Sequence, residues 1–229
     1  MSTISIEANG FGAMYQSIIS GLAYCRKNKI EYLHTDLHSV HRTDPTQCNN
    51  IIGMHSYKKA NAYTPKIDYT RDIWGANPNE LFTDEVIEEI RNNYKGNKNL
   101  INCICIHIRR GDIDPKIHIN RWDNLSKYIS VIEYFKNKYH LPIVIVSEAT
   151  KKELTEILDR FPDITINNES TLEAFNLMVN CKILFIARSS FSYVAGILNR
   201  NTVVATAIDY NRWFCKPFKN WSFIPDINF

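Results

Sequence analysis

Arg109 and Arg110 follow directly on an apolar run, Ile101 to Ile108, which reads INCICIHI. Bounded by Asn99 and Gly111, this run is expected as a strand buried on both faces. Two guanidinium groups at the end of a buried strand need either an anion or water beside them. Arginine presents a planar fork that matches phosphate oxygens in pairs. In an open parallel sheet, the carboxyl end of a strand is where ligands bind. The pair is therefore a phosphate site or an ordinary charged turn. A second turn carries hydroxyls: Ser189-Ser190-Phe191-Ser192 lies between the apolar Ile183 to Ala187 and a helical stretch. Hydroxyls and N–H groups at a helix start can cradle an anion. They can equally be an N-cap with a spare serine. Two such turns on one sheet edge make a nucleotide diphosphate the economical ligand.

Three further patterns could do chemistry. Asn9-Gly10-Phe11-Gly12 sits between a strand and a helix, where glycines let backbone N–H groups approach a ligand. A tight βα turn is the plainer reading. His34, His38 and His41, with Asp44 and Cys48, have metal-ligand residue types. They lack a supporting outer shell, so a loop histidine cluster facing a polar cleft is expected instead. Asp112-Ile113-Asp114 spells D-x-D, a metal motif of other enzymes. The arginine pair already occupies the cation's place, so no metal is expected there.

These residues need a scaffold. Thr3 to Ala8 is expected as a first strand, Ala13 to Lys29 as a helix and Ile30 to His34 as a second strand. An irregular stretch with scattered aromatics runs on to Phe82. Thr83 to Tyr94 is expected as a helix, with Thr83 as cap and Gly96 as its end. The polar KGNKN segment, Lys95 to Asn99, is the expected hinge between lobes 1–97 and 98–229. Beyond the arginine strand come helix Trp122 to Tyr139, strand Leu141 to Val146, helix Thr150 to Arg160 and strand Ile164 to Ile166. A helix opened by the capping box Ser170-Thr171-Leu172-Glu173 follows. Then come strand Ile183 to Ala187, helix Phe191 to Leu198 and strand Thr202 to Ala205. The alternation means an α/β, doubly wound parallel sheet.

The chain has 229 residues, 45% hydrophobic and 22% charged, with 27 basic against 24 acidic side chains. The net charge of +3 is too mild to argue for nucleic acid or an anionic membrane as partner. The six cysteines form no C-x-x-C pair and are expected as reduced thiols, Cys103 and Cys105 packing on one face as small hydrophobes. No signal-peptide pattern opens the sequence and no apolar run reaches membrane-span length, so a cytoplasmic protein is expected.

The second half resembles the α-1,2- and α-1,6-fucosyltransferase group, most closely the bacterial-type α-1,2 family. His107-Ile108-Arg109-Arg110-Gly111-Asp112 is similar to that group's H-x-R-R-G-D motif. Leu177 to Lys182 and Ala187 to Ser192 are similar to its second block, which ends in S-S-F-S. Asn211-Arg212-Trp213-Phe214 resembles its C-terminal tryptophan-phenylalanine segment, and the Gly10 turn its opening glycine turn. The resemblance implies a GT-B-like fold with two Rossmann-like lobes, the first short and irregular and facing the acceptor, the second holding a GDP-sugar. It implies no metal or other cofactor. By that likeness Arg109 would bind the β-phosphate and help GDP leave, Arg110 would support the loop, and His107 would lie near guanine. Ser190 and Ser192, with the Ser189 and Phe191 backbone and Gly111, would hold phosphate or ribose. The relatives carry an Asp seven residues before the Cys of the Cys-Lys pair, to read the base. Here that position is Ala174 and the acid is Glu173. The relatives' S-D-D is Ser147-Glu148-Ala149.

The expected activity is metal-independent, inverting transfer of fucose from GDP-fucose to a glycan hydroxyl. Arg109 is the leaving-group clamp, and Asp112, Asp114 and His118 are candidate bases, with Glu7 further off. Another nucleotide sugar on the same fold is one alternative. A catalytically silent glycan- or nucleotide-binding module is the other.

Overall fold

A computed structural model describes residues 1–7, 10–73, 78–167, 169–206 and 220–224. The chain divides into two compact units, Met1–Asn97 and Lys98–Phe229.

In the first unit, β1 (Thr3–Ile4) pairs in parallel with β2 (Lys66–Ile67). Ser2 also bridges Tyr32, and His34 bridges Lys59, both in parallel. Four chain passages thus lie side by side, but only two are regular strands. The strand expected over Ile30 to His34 is reduced to these bridges, its backbone bonded to Ser2 on one side and to Lys58 and Ala60 on the other. The first strand is likewise shorter than expected, and Ala8 lies outside the described residues. Helix α1 (Phe11–Lys27) buries Tyr15, Ile18, Ile19 and Leu22 completely, the spacing of one helical face. It approaches β1 so closely that a Cβ on Gly21 would meet the Ile4 Cβ at 2.7 Å.

The irregular stretch contains helices α2 (Pro45–Ile52) and α3 (Pro78–Leu81). Asp44 caps α2 through the Thr46 N–H, and Gly53 closes it at φ 71°. Helix α4 (Asp84–Asn93) is capped by Thr83 as expected, but it ends at Tyr94, before Gly96. The histidines do not face a common cleft. His34 is buried beside the Tyr32 hydroxyl, whereas His38 and His41 are exposed. Among the described residues no three His, Cys, Asp or Glu side chains gather as a metal site.

The second unit comprises β3 (Ile101–His107), α5 (Leu125–Lys138), β4 (Ile143–Val146), α6 (Thr155–Arg160), β5 (Thr165–Asn167), α7 (Thr171–Asn180), β6 (Cys181–Phe185), α8 (Ser190–Leu198), β7 (Thr202–Thr206) and β8 (Trp221–Ile224). All six strands are parallel, in the order β5-β4-β3-β6-β7-β8. The chain builds outward from β3 to β5, then α7 returns it to the other side of β3. This is a nucleotide-binding strand order, and its topological switch point lies between β3 and β6.

β3 is buried on both faces from Cys103 to His107. Ile104, Ile106 and Ile108 pack with Tyr128, Ile132 and Phe135 of α5. The alternate residues Cys103, Cys105 and His107 take the opposite face. The five described cysteines are all buried free thiols; Cys215 lies outside the described residues. Helices α5 and α6 begin at Leu125 and Thr155, later than Trp122 and Thr150. β8 lies beyond Thr202 to Ala205, the last strand expected from the sequence. No described helix is long and apolar enough to cross a membrane.

Candidate functional site

The strand order brings the two chemistry-bearing turns together. Arg109 leaves the end of β3, and Ser189 leaves the end of β6, on either side of the switch point. The Arg109 Nη1 donates to the Ser189 Oγ at 3.0 Å, and its Nη2 donates to the Asp112 Oδ2 at 2.5 Å. Its Nε is buried with no partner. Arg110 is turned the other way and is only 3% exposed. It donates to the Arg109 carbonyl and to the Asp123 carbonyl, both at 2.7 Å. Its guanidinium lies 3.7 Å from the centre of the Trp122 ring, a cation–π contact. Burial pulls its pKa down. Gly111 makes the turn between them possible: its φ of 87° suits glycine, and a Cβ there would meet the Glu148 Oε2 at 2.2 Å.

Ser189 caps α8 by accepting from the Phe191 N–H at 3.3 Å while it receives Arg109. Ser190, the first helical residue, is partly exposed. Ser192 departs from its expected place on a ligand. It is fully buried, and its hydroxyl is spent on the Ala187 N–H and on the Ala187 and Ser189 carbonyls. Phe191 stands between His107 and Phe175, with ring centroids 5.9 and 5.4 Å away. His107 is 5% exposed and its Nδ1 has no partner. Burial, with the Arg109 charge adding to it, pulls its pKa down to about 3, so the ring is neutral in ordinary buffers. Glu173 also differs from expectation. Its carboxylate is turned back onto the Ser170 N–H and hydroxyl in the capping box, and Ala174 is buried. Neither residue offers a carboxylate beyond α7.

Sequence reasoning missed a buried charge cluster behind this turn. Asp123, just before α5, pairs with Arg188 and with Lys127, the latter at 3.1 Å. The Tyr128 hydroxyl lies 3.4 Å from the same carboxylate. The i,i+4 spacing of Asp123 and Lys127 and the arginine ahead of the serine turn were the available signals. Neither distinguishes a buried pair from a surface one.

Residues 55–224 match the model of glycosyl transferase family 11. The chain belongs to that family. This family 11 chain is therefore a glycosyltransferase. Its fold is shared by NodZ, an α-1,6-fucosyltransferase. The NodZ structure soaked with GDP-fucose aligns at a TM-score of 0.50 and 11% identity, over 90% of this chain and 94% of that one. The NodZ structure co-crystallised with GDP aligns at 0.51 and 14%, over 86% and 91%. These likenesses agree with the GT-B-like, parallel-sheet class expected from the sequence. No curated sequence matches the chain significantly.

Within the family 11 chain, the remaining expected residues have separate positions. Asp114 is exposed, and its Oδ1 accepts from the Lys116 and Ile117 N–H groups at 2.7 and 3.3 Å. His118 accepts from the Asp114 N–H. In the first unit Gly10 stands before α1 at φ −65°, and a Cβ there would meet nothing within 4 Å. Its glycine is thus required neither by backbone conformation nor by packing. Phe11 is core, against Tyr15, and Gly12 is buried. Asn9 and the Asn211 to Phe214 segment lie outside the described residues. A cavity of about 390 Å³ opens on the far side of Arg110, lined by Trp122, Asn124, Ser126, Glu153 and Glu156 among others. Its two carboxylates disfavour a diphosphate, and neither Arg109 nor the serine turn lines it. The anion-suited surface is therefore the Arg109–Ser189 side.

Proposed function

We propose that this glycosyltransferase transfers fucose from GDP-fucose to a glycan hydroxyl, with inversion and without a metal. One observation carries the reading: Arg109 is held on Ser189 at the switch point between β3 and β6, with a buried Nε still to be matched. The acceptor oxygen attacks the anomeric carbon from the face opposite the nucleotide, and the bond from that carbon to the β-phosphate oxygen breaks. Arg109 and the start of α8 take up the negative charge that develops on the departing diphosphate. The acceptor proton passes to a base on the acceptor side of the anomeric carbon. Asp112 is paired with Arg109 at 2.5 Å, which keeps its carboxylate on the leaving-group side, so it holds Arg109 rather than taking the acceptor proton. Metal independence follows from the same assignment, because a guanidinium stands where a cation would neutralise the leaving group. GDP-fucose is the donor named for the NodZ structure whose fold this chain shares.

A second donor reading has its own support. Glu173 is engaged in its capping box and Ala174 carries no polar group, so α7 supplies no carboxylate to accept from guanine N1 and N2. A transferase using a different nucleotide sugar fits that arrangement. Thermal-shift titration with GDP, UDP, dTDP and ADP separates the two. A preference for GDP, with release of GDP from GDP-fucose, supports the first; no preference for GDP overturns it. Arg109→Ala is expected to lose diphosphate affinity about 10- to 100-fold, the worth of a charge-assisted hydrogen bond. Unchanged affinity removes Arg109 from the site.

A further inference from the structure

We infer that Asp123 is a positioning residue that holds the Arg109 and Ser189 turns at the spacing a diphosphate requires. The inference rests on the donor reading above and extends it to a residue outside the ligand's reach. Arg109 and Ser189 belong to turns 80 residues apart, joined by one 3.0 Å hydrogen bond between their side chains. Each turn carries a second arginine, directly beside the ligand-facing residue, and both of these reach the same dipeptide. Arg110 donates to the Asp123 carbonyl at 2.7 Å. Arg188 donates to the Asp123 carboxylate and, at 3.3 Å, to the Trp122 carbonyl. Trp122-Asp123 is therefore a common anchor for both turns. It is fixed in its own right by the first turns of α5. Lys127 and the Tyr128 hydroxyl bind the remaining carboxylate oxygen. Trp122 lies under the Arg110 guanidinium.

Burial makes this anchor directional. Asp123 is 7% exposed, Lys127 8% and Arg110 3%, so water does not substitute for a lost partner. The carboxylate stands among three cations. If its charge is removed, Arg188 loses the shorter of its two bonds to this dipeptide and keeps the 3.3 Å bond to the Trp122 carbonyl, so the serine turn is held less closely to the arginine turn. Arg109 would keep its charge but not its place. The consequence falls on the phosphate that Arg109 contacts, the β-phosphate of the donor, more than on the rest of the nucleotide.

That asymmetry gives the test. GDP and GMP affinities are measured by calorimetry on the full chain, with folding checked by circular dichroism. Asp123→Asn keeps size and hydrogen-bonding shape while it removes the charge. It is expected to reduce the GDP-over-GMP affinity ratio about tenfold with little change for GMP, a fraction of what direct removal of a charge-assisted bond does. Arg188→Lys provides a second route, since it leaves the Asp123–Lys127 pair intact but removes the fork that reaches Trp122. It should lower the ratio similarly, and the double variant should lower it no further than either single one. A purely structural Asp123 would weaken both nucleotides equally and leave the ratio unchanged. A purely electrostatic one would tighten both, because a negative charge has gone. Either pattern overturns the inference, as does an unchanged ratio in both variants. Arg109→Ala separates this from the donor reading. If that variant keeps the ratio, the donor reading has failed. If it loses the ratio while Asp123→Asn and Arg188→Lys keep theirs, only the positioning role has failed.

Discussion

His107 makes a quantitative demand on the stability of the second unit. The ring is 5% exposed, its Nδ1 has no partner, and burial first, then the nearby Arg109 charge, pull its pKa down to about 3. An unfolded chain returns it to about 6.5. The folded state therefore binds fewer protons than the unfolded one between these values. Stability is fully present above pH 6.5, is lost as the pH falls below it, and continues to fall until about pH 3. Each pH unit inside the window costs about 1.4 kcal/mol, so the drop from pH 7.5 to 5.0 removes about 2 kcal/mol. The figure tolerates error in the folded value, because any pKa below about 4 leaves the ring neutral at pH 5. Urea unfolding at the two pH values, for the native chain and for His107→Gln, isolates the effect. Glutamine does not titrate, so the variant should lose about 2 kcal/mol less on acidification, whatever its stability at pH 7.5. NMR of the imidazole provides the direct check: the His107 resonance should not titrate between pH 7.5 and 5. A midpoint near 6.5, or a variant with the native pH dependence, would refute the argument.

Three other outcomes follow from local geometry. Gly111→Ala places a side chain at φ 87° and against Glu148; a loss of about 2 kcal/mol is expected in urea unfolding, and Glu148→Ala should recover only the steric part. Asn199 is fully buried and its amide donates to the Met178 and Cys181 carbonyls at 2.9 and 3.0 Å; Asn199→Ala should lose about 2 kcal/mol by calorimetry, since it removes two buried hydrogen bonds while the Cys181 carbonyl keeps the Asn201 amide at 3.2 Å. Glu173→Ala should lower the Tm by a few degrees through its capping box and leave nucleotide preference unchanged; a loss of base discrimination would return Glu173 to the donor site.

Much of the second unit was legible in the sequence because its strands are short, apolar and separated by periodic helices. Burial on both faces writes itself as Cys103 to Ile108 without alternation. The capping box at Ser170 was readable because it needs fixed residue types at a fixed spacing; at the serine turn the helix starts at Ser190 with Ser189 as its cap, one residue before the start expected at Phe191. The first unit was less legible. Its Tyr32 and His34 passage is held by single bridges, too few contacts to impose an alternating pattern. Helix α2 is short and polar, and only its Asp44 and Gly53 ends mark it. Helix α5 began later than its periodicity implied because Trp122 and Asp123 belong to the arginine anchor, a tertiary arrangement that local sequence does not record.

The site was legible as a motif and not as a division of labour. Adjacent arginines at a strand end look alike in sequence. In the fold they point apart: Arg110 is consumed by the Arg109 carbonyl, Trp122 and Asp123, whereas Arg109 turns to Ser189 and Asp112. The serines divide the same way, with Ser189 on Arg109 and Ser192 locked inside the turn. In each pair one residue fixes the backbone so that the other is held in place before a ligand arrives, which is what stabilisation of a leaving group requires. On the proposed function, Arg110 and Ser192 serve the site without touching a ligand. Substitutions at Arg110 or Ser192 should disable it through geometry, with the Arg109 charge still present.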